Sequence, residues 1–172
     1  MLGLRFALNQ PHQQTWLTDG TTDWLWPAAE RAGIPVALIG AGFLQAMGPI
    51  ADRHPGLKLI IDHYGRPDAA WSNMAQLVAL AKRPNIALKA TGGPSYSKEP
   101  YPYRDIEGHI RKLYDAFGPE RMFWGTDVTR MPCPWRQCVT HFTEELPWLS
   151  AKDKDLIMGR ALCDWLGWNL GR

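Results

Sequence analysis

A large net charge, long apolar runs and paired cysteines are all missing from this chain of 172 residues. Nineteen Lys and Arg side chains stand against 17 Asp and Glu, for a formal net charge of +2. That balance leaves no electrostatic footprint for nucleic acid or an anionic membrane, so a small molecule or another protein is the expected partner. The most apolar long stretch, Val36 to Gly48, holds 13 residues including Gln45, far short of the roughly 20 that span a bilayer. No transmembrane helix is expected. After Met1, the segment GLRFAL shows neither a basic start nor a small-residue cleavage site, so no secretory signal is read and the cytoplasm is the expected location. Cys133, Cys138 and Cys163 are odd in number and lack C-x-x-C spacing. They read as reduced, structural thiols.

What is present describes one folded unit over residues 1–172. Apolar residues make up 45% and charged ones 21%, with no low-complexity tract between them, a composition that excludes disorder and fibrous repeats. Nine tryptophans are expected mostly in the core or lining a pocket, because exposed indoles in such number would make a sticky surface.

Short apolar runs recur at Leu4 to Leu8, Ile34 to Ile39, Leu57 to Ile61, Ile86 to Leu88 and Met122 to Trp124, each followed by a segment of helical character. Over 104–117, Ile106, Ile110, Leu113, Tyr114 and Phe117 share one helical face. Trp71, Met74, Leu77, Val78 and Ala81 make a second stripe, starting after Pro67 and Asp68 and stopping before Pro84. The last helix begins at Ser150 with Asp153 three residues on, a reciprocal capping pattern, and buries Leu156, Ile157, Leu162, Trp165 and Leu166. Continuous apolar strands joined by helices predict a parallel sheet and an α/β fold. Two architectures compete: an open doubly wound sheet of five strands, and part of a (β/α)8 TIM barrel. Length alone favours the open sheet, since a whole barrel takes about 250 residues.

In either architecture, ligands sit at the carboxyl ends of the strands. The residues there are Asp62 and His63 after the third run, Lys89 after the fourth, and Asp127 with Arg130 after the fifth; Arg5 lies within the first. Asp127 and His63 are potential acid–base groups, and the three cations suit an acidic substrate. Each also has a structural reading. His63 can be a hydrogen-bonded structural group, Asp62 can cap the next helix, Lys89 can be a solvated charge, and Arg5 can sit in a salt bridge. Phosphate and nucleotide motifs are absent: GAG at 40–42 lacks the third glycine of a dinucleotide loop, and no G-x-S-x-G elbow presents a serine. Neither H-x-H nor H-E-x-x-H occurs, so any metal site within these residues is incomplete. The segment from Ser95 to Tyr103, rich in Tyr and Pro, reads equally as a lid or as a rigid connection.

The runs HPGLKLIIDHYGRP (54–67), NIALKATGG (85–93), FGPERMFWGTDVTR (117–130) and IMGRALCDWLGW (157–168) together resemble the amidohydrolase-related family. These are metal-dependent hydrolases and decarboxylases of the TIM-barrel type. On this resemblance GLRFAL matches the fourth barrel strand and the later runs match strands five to eight, so the chain is the carboxyl-terminal part of a barrel. The resemblance implies that Asp127 is a metal ligand and the base acting on the attacking water, and that His63 polarises a carbonyl or positions water. Arg5, Lys89 and Arg130 would then bind substrate carboxylates. The family's other ligands, an H-x-H on the first strand and a His on the fifth, have no counterpart here, GIPVALIGAG carrying no His. A divalent metal such as zinc is therefore one expectation and metal-free hydrolysis, used by some lactonases of the family, the other.

The expected reaction is hydrolysis of a small cyclic or aromatic carboxylate, with decarboxylation on the same scaffold as the alternative. A further alternative is a non-catalytic fragment. Five strands leave two unpaired edges and a bare apolar interior, so such a fragment is expected to aggregate or form a homo-oligomer.

Overall fold

The computed structural model of the protein describes residues 1–13, 15–40 and 42–169; Ala41, the middle of the GAG segment, lies outside them. Strands and helices alternate as β1 (Leu4–Leu8), α1 (Leu25–Ala32), β2 (Val36–Gly40), α2 (Phe43–Arg53), β3 (Leu59–Ile61) and α3 (Met74–Ala81). They continue as β4 (Ile86–Thr91), α4 (Glu107–Phe117), β5 (Met122–Gly125) and α5 (Trp135–Thr143). Two short helices, α6 (Ala151–Asp155) and α7 (Ala161–Leu166), flank a π-helical turn at Leu156–Arg160. No helix among the described residues is long and apolar enough to cross a membrane.

All five apolar runs form strands, and the sheet is parallel in the order β1-β2-β3-β4-β5. A doubly wound sheet changes winding direction at a switch point and so places strands out of chain order. Here every strand lies beside its successor, which is the wall of a barrel. The partial barrel stands and the open doubly wound alternative falls.

Side chains alternate across each strand, so one sequence supplies two layers. Val36, Leu38, Leu59, Ile61, Ile86 and Leu88 face the helices and share the main core with Met47, Leu77 and Ile110. On the opposite, inner face, Ala37, Ile60, Ala87 and Phe123 form a second core with Ala161, packed by Leu156, Leu162 and Trp165. The terminal helices thus lie across the inner side of the arc. The interior expected to be bare is covered: these four strand residues are at most 4% exposed. Burying a side chain the size of Phe123 contributes about 2–3 kcal/mol. Lys58 Nζ anchors the cover by donating to the Trp165 carbonyl at 2.8 Å. The sheet edges are different, for β1 and β5 each pair on one side only among the described residues.

Helical periodicity is realised with two adjustments. α4 buries Ile110, Leu113 and Phe117, and Ile106 is buried in the 3-10 turn before it. The expected capping box is present, Ser150 and Asp153 each bonding the other's backbone N–H. The stripe after Asp68 starts as a helix only at Met74, because the Asp68 carboxylate accepts from the N–H groups of Ala70 and Ser72 and closes a turn instead. Trp71 then takes φ 53°, outside the helical region, and stacks on His109 at 4.6 Å. The last helix is interrupted by the π-helical turn, which rotates Trp165 and Leu162 onto the inner face. Trp26 and Trp71 are core residues, whereas Trp24, Trp135 and Trp168 stand more than half exposed.

The Ser95 to Tyr103 segment is strapped down. Ser97 and the Lys98 N–H both donate to Asp105. Tyr101 donates to Thr140 at 2.9 Å and Tyr103 to Gln137 at 3.1 Å. Of the two readings, the rigid connection is the one these bonds describe.

Candidate active site

At the carboxyl edge of the sheet, β3 is followed directly by Asp62, whose side chain is fully buried. A buried carboxylate is costly unless cations and donors surround it. Two cations do: Arg5 Nε donates to Oδ2 at 2.5 Å, and Lys89 Nζ stands 2.7 Å from Oδ1 as an ion pair not aligned for a hydrogen bond. Asp62 therefore makes no helix cap, contrary to its local reading. Arg5 and Lys89 each spend one side of their charge on Asp62. They keep 50% and 25% of their side-chain surface exposed, so both remain open to a ligand.

His63 follows in a tight turn. Its φ of 49° and that of Tyr64, 53°, lie in the left-handed region, which costs a non-glycine residue free energy and marks functional turns. Nδ1 lies 2.5 Å from the Thr91 hydroxyl, while Nε2 is 3.8 Å from Asp127 Oδ2 and 3.4 Å from Arg5 Nη2. The Tyr96 hydroxyl donates to the His63 carbonyl at 3.3 Å. Burial pushes the His63 imidazole below its ordinary pKa of 6.5, with Asp62 and Asp127 opposing and Arg5 and Lys89 adding to the effect. The ring is accordingly neutral at pH 7. Arg5 Nη2 can only donate, so His63 Nε2 accepts from it and the ring proton sits on Nδ1, which donates to the Thr91 hydroxyl.

Asp127 also has a left-handed backbone, φ 55°, at the start of the turn that carries Arg130. Gly125 makes this approach possible: it is paired with Thr91, and a Cβ there would meet Thr91 Cγ2 at 2.7 Å. The strand bearing Asp127 thus closes on the residue that holds His63.

Four of the five residues picked from the sequence, Arg5, His63, Lys89 and Asp127, meet at one place. Arg130 remains exposed at the rim, where its charge and that of Arg66 act on the Tyr96 hydroxyl. Sequence reading missed Asp62 as the hub, Thr91 as the support of His63, and Tyr96 and Arg66 at the rim. Two signals were available. An Arg inside an apolar strand calls for a buried carboxylate, and Thr91 lies two residues beyond Lys89, on the same face of β4.

As a metal centre the set does not fit. Asp127 and His63 are the ligand-type pair, no group of three such residues assembles among the described residues, and a guanidinium stands 3.4 Å from the available imidazole nitrogen. A divalent cation would meet the Arg5 and Lys89 charges directly. What the residues can do is accept a proton at Asp127, orient a water through His63 Nε2, and attract an anion.

A sequentially wound parallel arc with its polar cluster at the carboxyl edge defines a protein of the (β/α)-barrel class. The model for the family described as Amidohydrolase matches residues 2–162, and the chain belongs to that family. It is 32% identical over 121 residues to L-fucono-1,5-lactonase from Burkholderia ambifaria, covering 66% of this chain and 39% of that protein. It is 29% identical over 148 residues to 4-sulfomuconolactone hydrolase from Hydrogenophaga intermedia, covering 76% of this chain and 46% of that protein. The chain thus spans less than half the length of these two relatives. Among solved structures, an amidohydrolase from Burkholderia multivorans with bound zinc superposes with a TM-score of 0.81 at 20% identity, over 96% of this chain and 64% of that one. That likeness shows the fold.

Proposed function

We propose that the chain supplies the catalytic edge of a lactone hydrolase. A carboxylate base and a neutral imidazole open a small cyclic ester that bears an acidic group. The observation that carries this reading is the cluster in which Asp127 and Arg5 converge on His63 Nε2, with contacts of 3.8 Å and 3.4 Å. The names of the two curated relatives, a lactonase and a lactone hydrolase, support the class of reaction.

In this reading Asp127 takes a proton from water as its oxygen attacks the ester carbonyl. His63 Nε2 accepts a hydrogen bond from that water and orients it for attack. The proton held by Asp127 then passes to the departing ring oxygen, giving a hydroxy acid. Lys89, Arg5 and the rim residue Arg130 hold the acidic group of the substrate. The two cations bound to Asp62 are pre-positioned, so little order is lost when substrate arrives.

The test is ring opening of a panel of sugar-acid lactones and carboxylated lactones, followed by acid release, with Asp127→Asn beside the wild type. Turnover is expected to fall about 10²–10⁴-fold in the variant at unchanged stability. Near-normal turnover by Asp127→Asn, or carbon dioxide in place of a ring-opened acid, would overturn the reading.

A further inference from the structure

Cys133 and Cys138 bracket the start of α5. Pro134 is the residue that caps this helix, so Cys133 sits just before the cap and Cys138 one turn inside. These are the two positions whose side chains pack together as a hydrophobic staple and set the angle at which the chain enters a helix. Here both members are thiols, and their Sγ atoms lie 3.6 Å apart. A disulfide needs about 2.05 Å, a closure of about 1.5 Å. The chain entering α5 is the loop that begins at Asp127 and carries Arg130.

The two sulfurs are not equivalent. Cys138 is 3% exposed, whereas Cys133 is half-buried and lines an open cleft of ≈ 580 Å³ together with Lys98, Tyr101, Tyr103 and Gln137. A small reagent reaches Cys133 first, and Cys138 is placed behind it.

We propose that Cys133 and Cys138 form a reversible disulfide by exchange with a low-molecular-weight disulfide entering this cleft, fastening the Asp127–Pro134 loop to α5. The Cys133 thiolate attacks one sulfur of the reagent, forming a mixed disulfide and expelling one thiolate. Cys138 loses its proton and attacks Cys133 Sγ, expelling the second. Two protein thiols are oxidised, the reagent is reduced to two thiols, and the two protein protons end on them. Burial pushes the Cys138 thiol up to about 11, so the second step is the slow one and accelerates with rising pH. The site is independent of the hydrolytic reading; where that reading holds, oxidation restrains the loop bearing its base.

The experiment equilibrates the full chain with mixtures of oxidised and reduced glutathione, blocks remaining thiols by alkylation and maps the peptides by mass spectrometry. Of the three free thiols, one is expected to remain, with a mass loss of about 2 Da and a link between Cys133 and Cys138. Cys138→Ala should stop at a glutathione adduct on Cys133, Cys133→Ser should form no link, and Cys163→Ser should behave as wild type. Amide hydrogen exchange over residues 128–137 should slow in the oxidised chain and recover on reduction. Three reactive thiols after equilibration, a link through Cys163, or unchanged exchange in the linked protein would overturn the proposal.

Discussion

Replacing His141 with Phe should remove a loss of stability that the native chain suffers as the solution is acidified. His141, on α5, is 1% exposed, and neither ring nitrogen has a hydrogen-bond partner. Its ring packs edge-on against Tyr103 at 5.4 Å and Phe142 at 5.5 Å. Burial pushes its pKa from 6.5 down to about 4, with Glu107 and Glu145 opposing and Arg104 assisting. The unfolded chain therefore binds a proton at this residue before the folded one does. Stability is complete above the unfolded value of 6.5 and is lost as pH falls toward 4. The full gap corresponds to about 3 kcal/mol, of which about 2 kcal/mol disappears between about pH 7 and pH 5. Urea titrations of wild type and His141→Phe at both pH values isolate this residue, because losses from other groups cancel in the difference. Phe is apolar and similar in shape, so it should be accommodated in the aromatic setting. Equal losses for the two proteins would refute the reasoning, since they would mean that the imidazole protonates as easily folded as unfolded.

Gly125→Ala places a methyl group against Thr91 and should displace His63, lowering turnover at least ~10-fold while costing about 1–3 kcal/mol of stability; a fully active variant would show that the approach of β5 to Thr91 is unimportant. Asp62→Asn leaves Arg5 and Lys89 without their carboxylate. Because Arg5 keeps half its side-chain surface in water, the expected loss is about 1–3 kcal/mol rather than the larger figure for a wholly buried pair, checked by thermal melting. The unpaired edges of β1 and β5 should draw copies of the chain together, so light scattering is expected to show dimers or larger species as concentration rises. A monodisperse monomer throughout would show that covering the inner face with the terminal helices is enough to keep the chain alone.

Much of the architecture was legible because it is encoded locally. Five apolar runs, helical stripes such as Ile106, Ile110, Leu113 and Phe117, and the Ser150–Asp153 box all depend on neighbours within a few residues. The list of polar residues at strand ends was legible for the same reason, since position in a strand is a local property. Trp71 shows the limit: its spacing matched the stripe of α3, yet the turn closed by Asp68 and its stack on His109 held it outside the helix.

By itself, the sequence determined an α/β chain of parallel strands with Arg5, His63, Lys89 and Asp127 among the residues available for chemistry. Only the tertiary structure decided that strand order is sequential, that the terminal helices cover the inner face, and that Asp62 binds two of the expected substrate cations. The reason is distance along the chain. Arg5 and Asp62 are 57 residues apart and His63 and Thr91 are 28 apart. No local pattern records such pairs; they arise only when neighbouring strands bring buried charge to the place where it is compensated.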